Sequence, residues 1–379
     1  MYAGTSFFSY ILLQKGVPSV YMGVLGALTS CSSTLVQPLW GILCDKYRCH
    51  RFFYLLSSLA ASLIYLWIIG SGSIVELVIC SLLSGIFVNC IQNMGNGWVS
   101  SLNAEGRQIN YSASRSCGSL AFAVMAALLG RAMHYWGYHG LIGGMVLCAA
   151  VCAAVSFTIP KSRKSAETAA AQKTARKEPA LREGLGLLLR QEEYMVVVCS
   201  GFFAMFGVAG LNAYFAAHLT AMGAGATAVG LGNFAYAIAE VPVMFLYKRL
   251  AGRFPFRKLF TVCLFTHGLQ CVLVGISPNY VCAIFAMLLQ GPAFGLLVPC
   301  LQQYTAEKID PRYTSTAQLF TSSVSLSASM IFGSLMASLL TQNFSLPVSF
   351  LLLGLISSLG GVLYVSYTVV RRGKKCEAQ

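Results

Sequence analysis

Twelve apolar stretches follow one another along this 379-residue chain and leave few charged residues for a water-exposed surface. Only 10% of the residues are charged, whereas a soluble globular domain carries about 25%. A membrane-spanning segment must satisfy its backbone polar groups internally, and helices do so. The pattern therefore predicts an all-α integral membrane protein with twelve transmembrane helices. The stretches lie near residues 1–14, 19–43, 52–70, 74–99, 109–133, 139–159, 193–220, 226–247, 257–276, 279–304, 313–340 and 346–370.

Lysine and arginine residues are distributed unevenly between the connections. Twenty-three of the 26 fall after even-numbered stretches, while Lys15 and Arg131 fall on the opposite side and Arg115 lies inside a stretch. Basic connections are retained on the cytoplasmic side of membranes, so both termini are predicted to be cytoplasmic in the cell membrane. Nucleic-acid binding would need basic residues on one folded face, so the net charge of +14 does not indicate that partner.

The organisation predicts two related halves. A basic, alanine-rich cytoplasmic linker at 160–190 separates six stretches in 1–159 from six in 191–379. The loops DKYRCHR and GRFPFRK occupy the same ordinal position in each half, which indicates an internal repeat. Two pseudo-symmetric six-helix bundles of this kind are typical of secondary transporters. The first stretch would form only about 21 Å of helix, so the first helix is short or the sequence begins downstream of the natural start.

Glu240 is a carboxylate in the middle of an apolar stretch. It lies about 12 Å from the basic end of its helix, at 1.5 Å per residue. Because a charge in hydrocarbon costs several kcal/mol, we expect Glu240 to face the bundle interior and to be a candidate for proton coupling. The alternative is a structural acid that is permanently protonated or paired. The 14 cysteines show no metal-ligand spacing, so no metal and no bound cofactor are predicted.

Several motifs resemble those of a known family. GILCDKYRCHR resembles the signature loop of the major facilitator superfamily, with Gly41, Asp45, Lys46 and Arg51 in matching positions. Three further stretches, NYSASRSCGSLAF, AEVPVMFL and the segment from LLQGPAFG to TSTAQ, are similar to the branch of oligosaccharide, nucleoside and phenylpropionate proton symporters. The resemblance implies that the four loop residues control conformational change. The alternative for Asp45 is a solvated loop charge.

The same resemblance implies where the solute binds. Arg115 matches an arginine that contacts substrate and Phe122 an aromatic ring that stacks on sugar; the alternatives are an interfacial arginine and a core or lipid-facing ring. Gln290 and Ala293 replace the histidine and glutamate used for proton coupling in the sugar permeases, which leaves Glu240 as the central carboxylate. The substrate-binding candidates are Arg115, Phe122, Asn96, Asn93, Asn212 and Gln290. Ser322, Ser325 and Ser329 share one helical face; close packing of helices is the leading interpretation of this face, and lining of a cavity is the alternative.

Together these features predict a secondary active transporter that moves a small organic solute by alternating access, with proton-coupled uptake as the leading version. Efflux, exchange and facilitated diffusion remain alternatives. A membrane transferase is disfavoured because the five histidines are scattered, and a non-transporting receptor or scaffold remains open. The expected partners are the solute, the lipid bilayer and a proton gradient, with the chain acting as a monomer.

Overall fold

A computed structural model describes residues 2–47, 49–91, 95, 98–99, 102, 111–158, 186–310 and 313–377. Within these ranges the chain is helical, and nine helices are long and apolar enough to cross a membrane. The longest is broken at Gly137, where φ is 58°, a backbone conformation that glycine adopts readily, so it supplies two spans. Counting the broken helix as two, the nine long helices supply ten spans. The shorter apolar helix Ile74–Val88 and the N-terminal segment bring the number to the twelve predicted segments, which confirms the predicted fold class.

The N-terminal half contains α1 to α6. The first segment is short, which is one of the two predicted alternatives, and it is interrupted between Thr5 and Phe8. The helix α4 ends in π-helical geometry. The bounds are α1, Tyr2–Thr5 and Phe8–Gln14; α2, Ser19–Tyr47; α3, His50–Gly70; α4, Ile74–Leu83 continued by the π-helix Ser84–Val88; and α5 with α6, the broken helix Tyr111–Thr158, divided into 111–136 and 138–158.

The C-terminal half contains α7 to α12. Most of the predicted linker between the halves lies outside the described residues. The bounds are α7, Glu192–Ala221; α8, Ala226–Arg253; α9, Phe256–Gly275; α10, Tyr280–Lys308, with a 3₁₀ turn at Met287–Leu289; α11, Thr314–Asn343, with a π-helix at Ser322–Ala328; and α12, Leu346–Glu377. Large apolar side chains such as Leu35 and Phe285 are 70% and 65% exposed, as expected for a surface that faces lipid.

The two halves meet closely at one end of the bundle. The Ser338 hydroxyl of α11 donates to the Val20 carbonyl of α2 at 2.6 Å. The Gly23 amide of α2 donates to the Tyr214 hydroxyl of α7 at 3.1 Å. We call this the closed end. We call the opposite end, where the helix ends carry Arg51, Lys248 and Arg371, the basic end.

A glycine pair brings α5 and α8 together at the same closed end. A Cβ atom added to Gly230 would lie 2.6 Å from the Ala126 carbonyl oxygen and 2.9 Å from the Gly130 Cα atom. Only glycine permits two helix backbones to approach this closely, as at other membrane helix crossings. Two pairs of helices, α2 with α11 and α5 with α8, therefore seal the closed end.

Candidate solute-binding site

A central cavity of about 1220 Å³ lies between the two halves. It reaches towards the basic end, because Tyr54 near the start of α3 and Ser156 near the end of α6 both line it. At the other limit its wall includes Ser334, beside the closed-end contacts. The cavity is therefore long enough to connect the middle of the bundle with the basic end.

Glu240 lies on this cavity wall, at the position that the sequence predicted to face the interior. It is 7% exposed and belongs to a face of α8 that also presents Asn233 and Tyr236 to the cavity. The spacing of these residues, three and four apart, places them on one side of a helix. Glu240 is the only charged residue that lines the cavity within the described ranges. A carboxylate in this position can bind a proton, a cation or a hydroxyl group of a solute.

Gln290 supports Glu240 from outside the cavity wall. Its Nε2 group on α10 donates to Glu240 Oε1 at 3.3 Å, and the side chain is fully buried. α10 comes close to α8 here because Gly291 faces the Ala239 carbonyl, and a Cβ at this position would lie 2.4 Å from it. Gln290 was predicted as a substrate contact, but the structure places it one layer behind the described wall. Its amide holds the orientation of the carboxylate.

Two other predicted substrate contacts line the cavity. Asn212 is an exposed residue on α7, whereas its neighbours from Ala213 to Leu219 are buried, so its amide points into the open space. Phe122 of α5 is half-buried and also lies on the wall. These two residues and Glu240 surround a common volume from three different helices.

The remaining predicted site residues fall partly outside the described part of the chain. Asn93 and Asn96 lie there entirely. The backbone of Arg115 belongs to α5, but its side chain is outside the description. The predictions for these residues therefore stay predictions.

The predicted gating residues lie at the basic ends of α2 and α3. The side chains of Asp45 and Lys46 are also outside the described set. Gly41 has open space around the position of a Cβ atom. The Arg51 guanidinium packs over the ring of Phe157 on α6, 5.3 Å from its centroid. Arg51 thereby connects α3 to α6 at the basic end.

A polar face on α2 was not among the predicted site residues. Thr29, Ser30, Ser33, Thr34 and Gln37 all line the cavity. Their spacing of three or four residues matches one helical face and is visible in the sequence. Ten of the twelve serines and threonines on the described wall belong to the N-terminal half. Hydrogen-bonding hydroxyl groups and the central carboxylate therefore come from opposite halves.

Comparison with known proteins identifies the family. Residues 3–352 match the model of the MFS_1 like family. The chain belongs to this family. A similar protein is the "uncharacterized transporter YwbF" of Bacillus subtilis (strain 168), which is 22% identical over 317 residues, 82% of this chain and 75% of the relative.

Solved structures with a similar fold include two of the nucleoside transporter NupG. A point mutant of NupG superposes with a TM-score of 0.78, covering 96% of this chain and 94% of its own, at 13% identity. A second NupG structure gives a TM-score of 0.71 at 13% identity, with 96% of each chain covered. Membership of this family, together with the cavity between two six-helix halves, makes the protein a multi-pass membrane transporter rather than an enzyme.

Proposed function

We propose that the chain is a secondary active transporter that takes up a small organic solute in symport with protons. The observation that carries the proposal is the position of Glu240, a buried carboxylate on the wall of a cavity that separates two six-helix halves. Transporters of this architecture bind solute near the middle of the membrane, at the interface of the halves. Because the solved structures with this fold are of a nucleoside transporter, a nucleoside is the first solute to test.

The asymmetry of the two ends supports alternating access. The halves touch at the closed end through Gly130 and Gly230 and through Ser338 and Val20. The cavity reaches in the opposite direction, towards the basic end. Basic connections favour the cytoplasmic side, so this conformation corresponds to the state that faces the cytoplasm. Both termini are then cytoplasmic, in the cell membrane.

Glu240 has the surroundings that a proton carrier needs. Its carboxyl group is buried on the cavity wall and accepts a hydrogen bond from the Gln290 amide. A change in cavity hydration during the transport cycle would change the solvation of this group and so lead to uptake or release of a proton. Neither Gln290 nor Ala293 carries a titratable side chain, so these two positions of α10 supply no second acid. The lack of a titratable group at Gln290 and Ala293 favours exchange without proton coupling as the competing function.

The loop residues complete the proposed cycle. We assign Asp45, Lys46 and Arg51, with Gly41 beside them, to contacts that form when the basic end closes. Such contacts stabilise one of two states and so set the rate of interchange. The chain would act as a monomer, since each chain encloses its own cavity.

Reconstitution into vesicles tests the proposal. Labelled uridine, lactose and phenylpropionate would be offered with and without a pH gradient that is acidic outside. The wild type should accumulate at least one of them above equilibrium, and a protonophore should abolish the accumulation. Glu240→Gln should lose accumulation but retain exchange of labelled for unlabelled solute, because the amide keeps the size and polarity of the side chain without a titrating proton.

The matched control is Glu192→Gln, the same chemical change at an exposed acid in the first turn of α7. This variant should accumulate solute as the wild type does. Normal gradient-driven accumulation by Glu240→Gln would remove Glu240 from the coupling mechanism. Exchange that is indifferent to pH in the wild type would favour the uncoupled function instead.

A further inference from the structure

We propose that α2 and α4 form a hydrogen-bonding subsite for the hydroxyl groups of an uncharged solute. The subsite consists of Thr29, Ser30, Ser33, Thr34 and Gln37 on α2 and Ser84 on α4. It lies in the opposite half from Glu240. The inference rests on the proposed transport function and adds the residues that recognise the solute.

The α2 residues present unused hydrogen-bonding capacity to the cavity. Thr29 and Thr34 donate their hydroxyl protons to carbonyls one turn earlier, Leu25 at 2.9 Å and Ser30 at 2.8 Å. Each threonine oxygen retains lone pairs that can accept a bond from a solute hydroxyl. The Ser30 hydroxyl and the Gln37 amide have no side-chain hydrogen bond in the described part of the protein. The face therefore offers both donors and acceptors along about 12 Å of helix.

Pro38 adds a backbone acceptor to the same face. A proline within a helix has no N–H group, so the carbonyl four residues earlier loses its usual partner. Pro38 lies inside α2, and the residue four positions before it is Thr34, which lines the cavity. The Thr34 carbonyl therefore has no amide donor at position 38, and it belongs to a residue on the cavity wall.

Ser84 on α4 is a second, independent observation at the same wall. Its side chain is 8% exposed and lines the cavity, yet its hydroxyl oxygen is buried without a hydrogen-bond partner. A buried hydroxyl left in this state costs about 1–3 kcal/mol. Ser84 begins the π-helical stretch of α4, a geometry found frequently at functional sites.

The π-helical stretch of α4 also lies against the polar face of α2. A Cβ atom added to Gly85 would be 2.3 Å from the Thr29 carbonyl oxygen. Ser84 is thus adjacent to the start of the α2 face. The two helices together form one polar surface rather than two separate groups of residues.

The charge of this surface limits the ligand class. None of the described residues that α2 and α4 contribute to the cavity is charged. An anionic group placed against this surface would meet no cation among the described residues of α2 and α4, and leaving water without such a partner is costly. A polyhydroxylated neutral molecule instead meets a hydroxyl, amide or carbonyl partner for each of its hydroxyl groups.

Equilibrium binding to the purified full chain, without any ion gradient, tests the subsite. The probes are uridine, its dideoxy analogue that lacks two ribose hydroxyls, lactose and phenylpropionate. The wild type should bind uridine or lactose more tightly than the other two probes. Each of three variants, Thr34→Val, Gln37→Leu and Ser84→Ala, should lower the affinity for the preferred probe by about 5- to 10-fold, the usual effect of one lost hydrogen bond.

Ser81→Ala is the matched control for Ser84→Ala. Ser81 is also a buried serine of α4 whose hydroxyl has no partner, but it is not on the described cavity wall. Both alanine variants should unfold at or above the wild-type temperature, and only Ser84→Ala should lose affinity. Equal losses in the two variants would overturn the subsite.

A wild type that binds phenylpropionate but neither uridine nor lactose would also overturn the subsite. That result would leave the transport proposal intact, because accumulation driven by a pH gradient is measured separately. Conversely, hydroxyl-dependent binding with no effect of Glu240→Gln on accumulation would refute the coupling and keep the subsite.

Discussion

The replacement Gly230→Ala should weaken the closed end of the transporter. The added Cβ would lie 2.6 Å from the Ala126 carbonyl oxygen, whereas ordinary contacts begin near 3.4 Å. The helices would have to separate by about 0.8 Å, the difference of these distances, since both obstructing groups are backbone atoms. Overpacking of this kind typically costs about 1–3 kcal/mol. The cost falls on the closed conformation and would change the ratio of the two states by about 5- to 150-fold.

Hydrogen–deuterium exchange measures this change without labels. The backbone amides of the first turns of α2 and α8 should exchange faster in Gly230→Ala than in the wild type. Gly143→Ala is the control, because a Cβ at Gly143 in α6 meets no atom within 4 Å, and it should leave exchange unchanged. Identical exchange in the two variants would refute the view that the glycine contact maintains the closed end.

Two further predictions concern single hydrogen-bonding groups. Tyr214→Phe removes the acceptor for the Gly23 amide. The closed conformation should therefore lose about 1–3 kcal/mol of stability, and the backbone amides at the start of α2 should exchange hydrogen for deuterium faster. Unchanged exchange would show that this hydrogen bond does not stabilise the closed end. Lys15 donates its ammonium protons to carbonyls at the end of α3 and to the Ser71 hydroxyl at 3.0 Å. Lys15→Met should therefore lower the unfolding temperature by several degrees, whereas Lys258→Met, at an exposed lysine, should not; equal shifts in the two variants would contradict this interpretation.

The architecture could be predicted because the membrane restricts both the length of each spanning helix and the placement of its charged residues. Span lengths follow from the bilayer thickness, and hydropathy therefore located all twelve segments. The inward position of Glu240 followed from the cost of placing a carboxylate in lipid, and the structure places it on the cavity wall. Both predictions rest on large free-energy costs, which leave few alternative arrangements for a helix or a carboxylate in the membrane.

Weaker signals left more of the site undetermined. A hydroxyl group on a membrane helix can bond to its own backbone, so the spacing of Thr29 and Thr34 did not by itself indicate that they face a cavity. The motif at Gln290 identified the helix, but a resemblance does not specify which layer a side chain occupies. The three serines of α11 were predicted to share one helical face, with helix packing as the leading interpretation, yet Ser322 is exposed while Ser325 and Ser329 are buried. A π-helical stretch from Ser322 to Ala328 changes the residue register, and hydropathy does not reveal it.

The unequal division of polar groups between the two halves has a consequence for how this protein can diverge. Substitutions in one half can change which molecule is accepted while the carboxylate of the other half remains untouched. Under the proposed roles of the two halves, a lineage could thus change its solute by altering hydroxyl-bearing positions alone, with the proposed coupling at Glu240 unchanged. Under the same proposal, chimaeras that exchange the first six helices between related chains would inherit their solute preference from one parent and their ion dependence from the other.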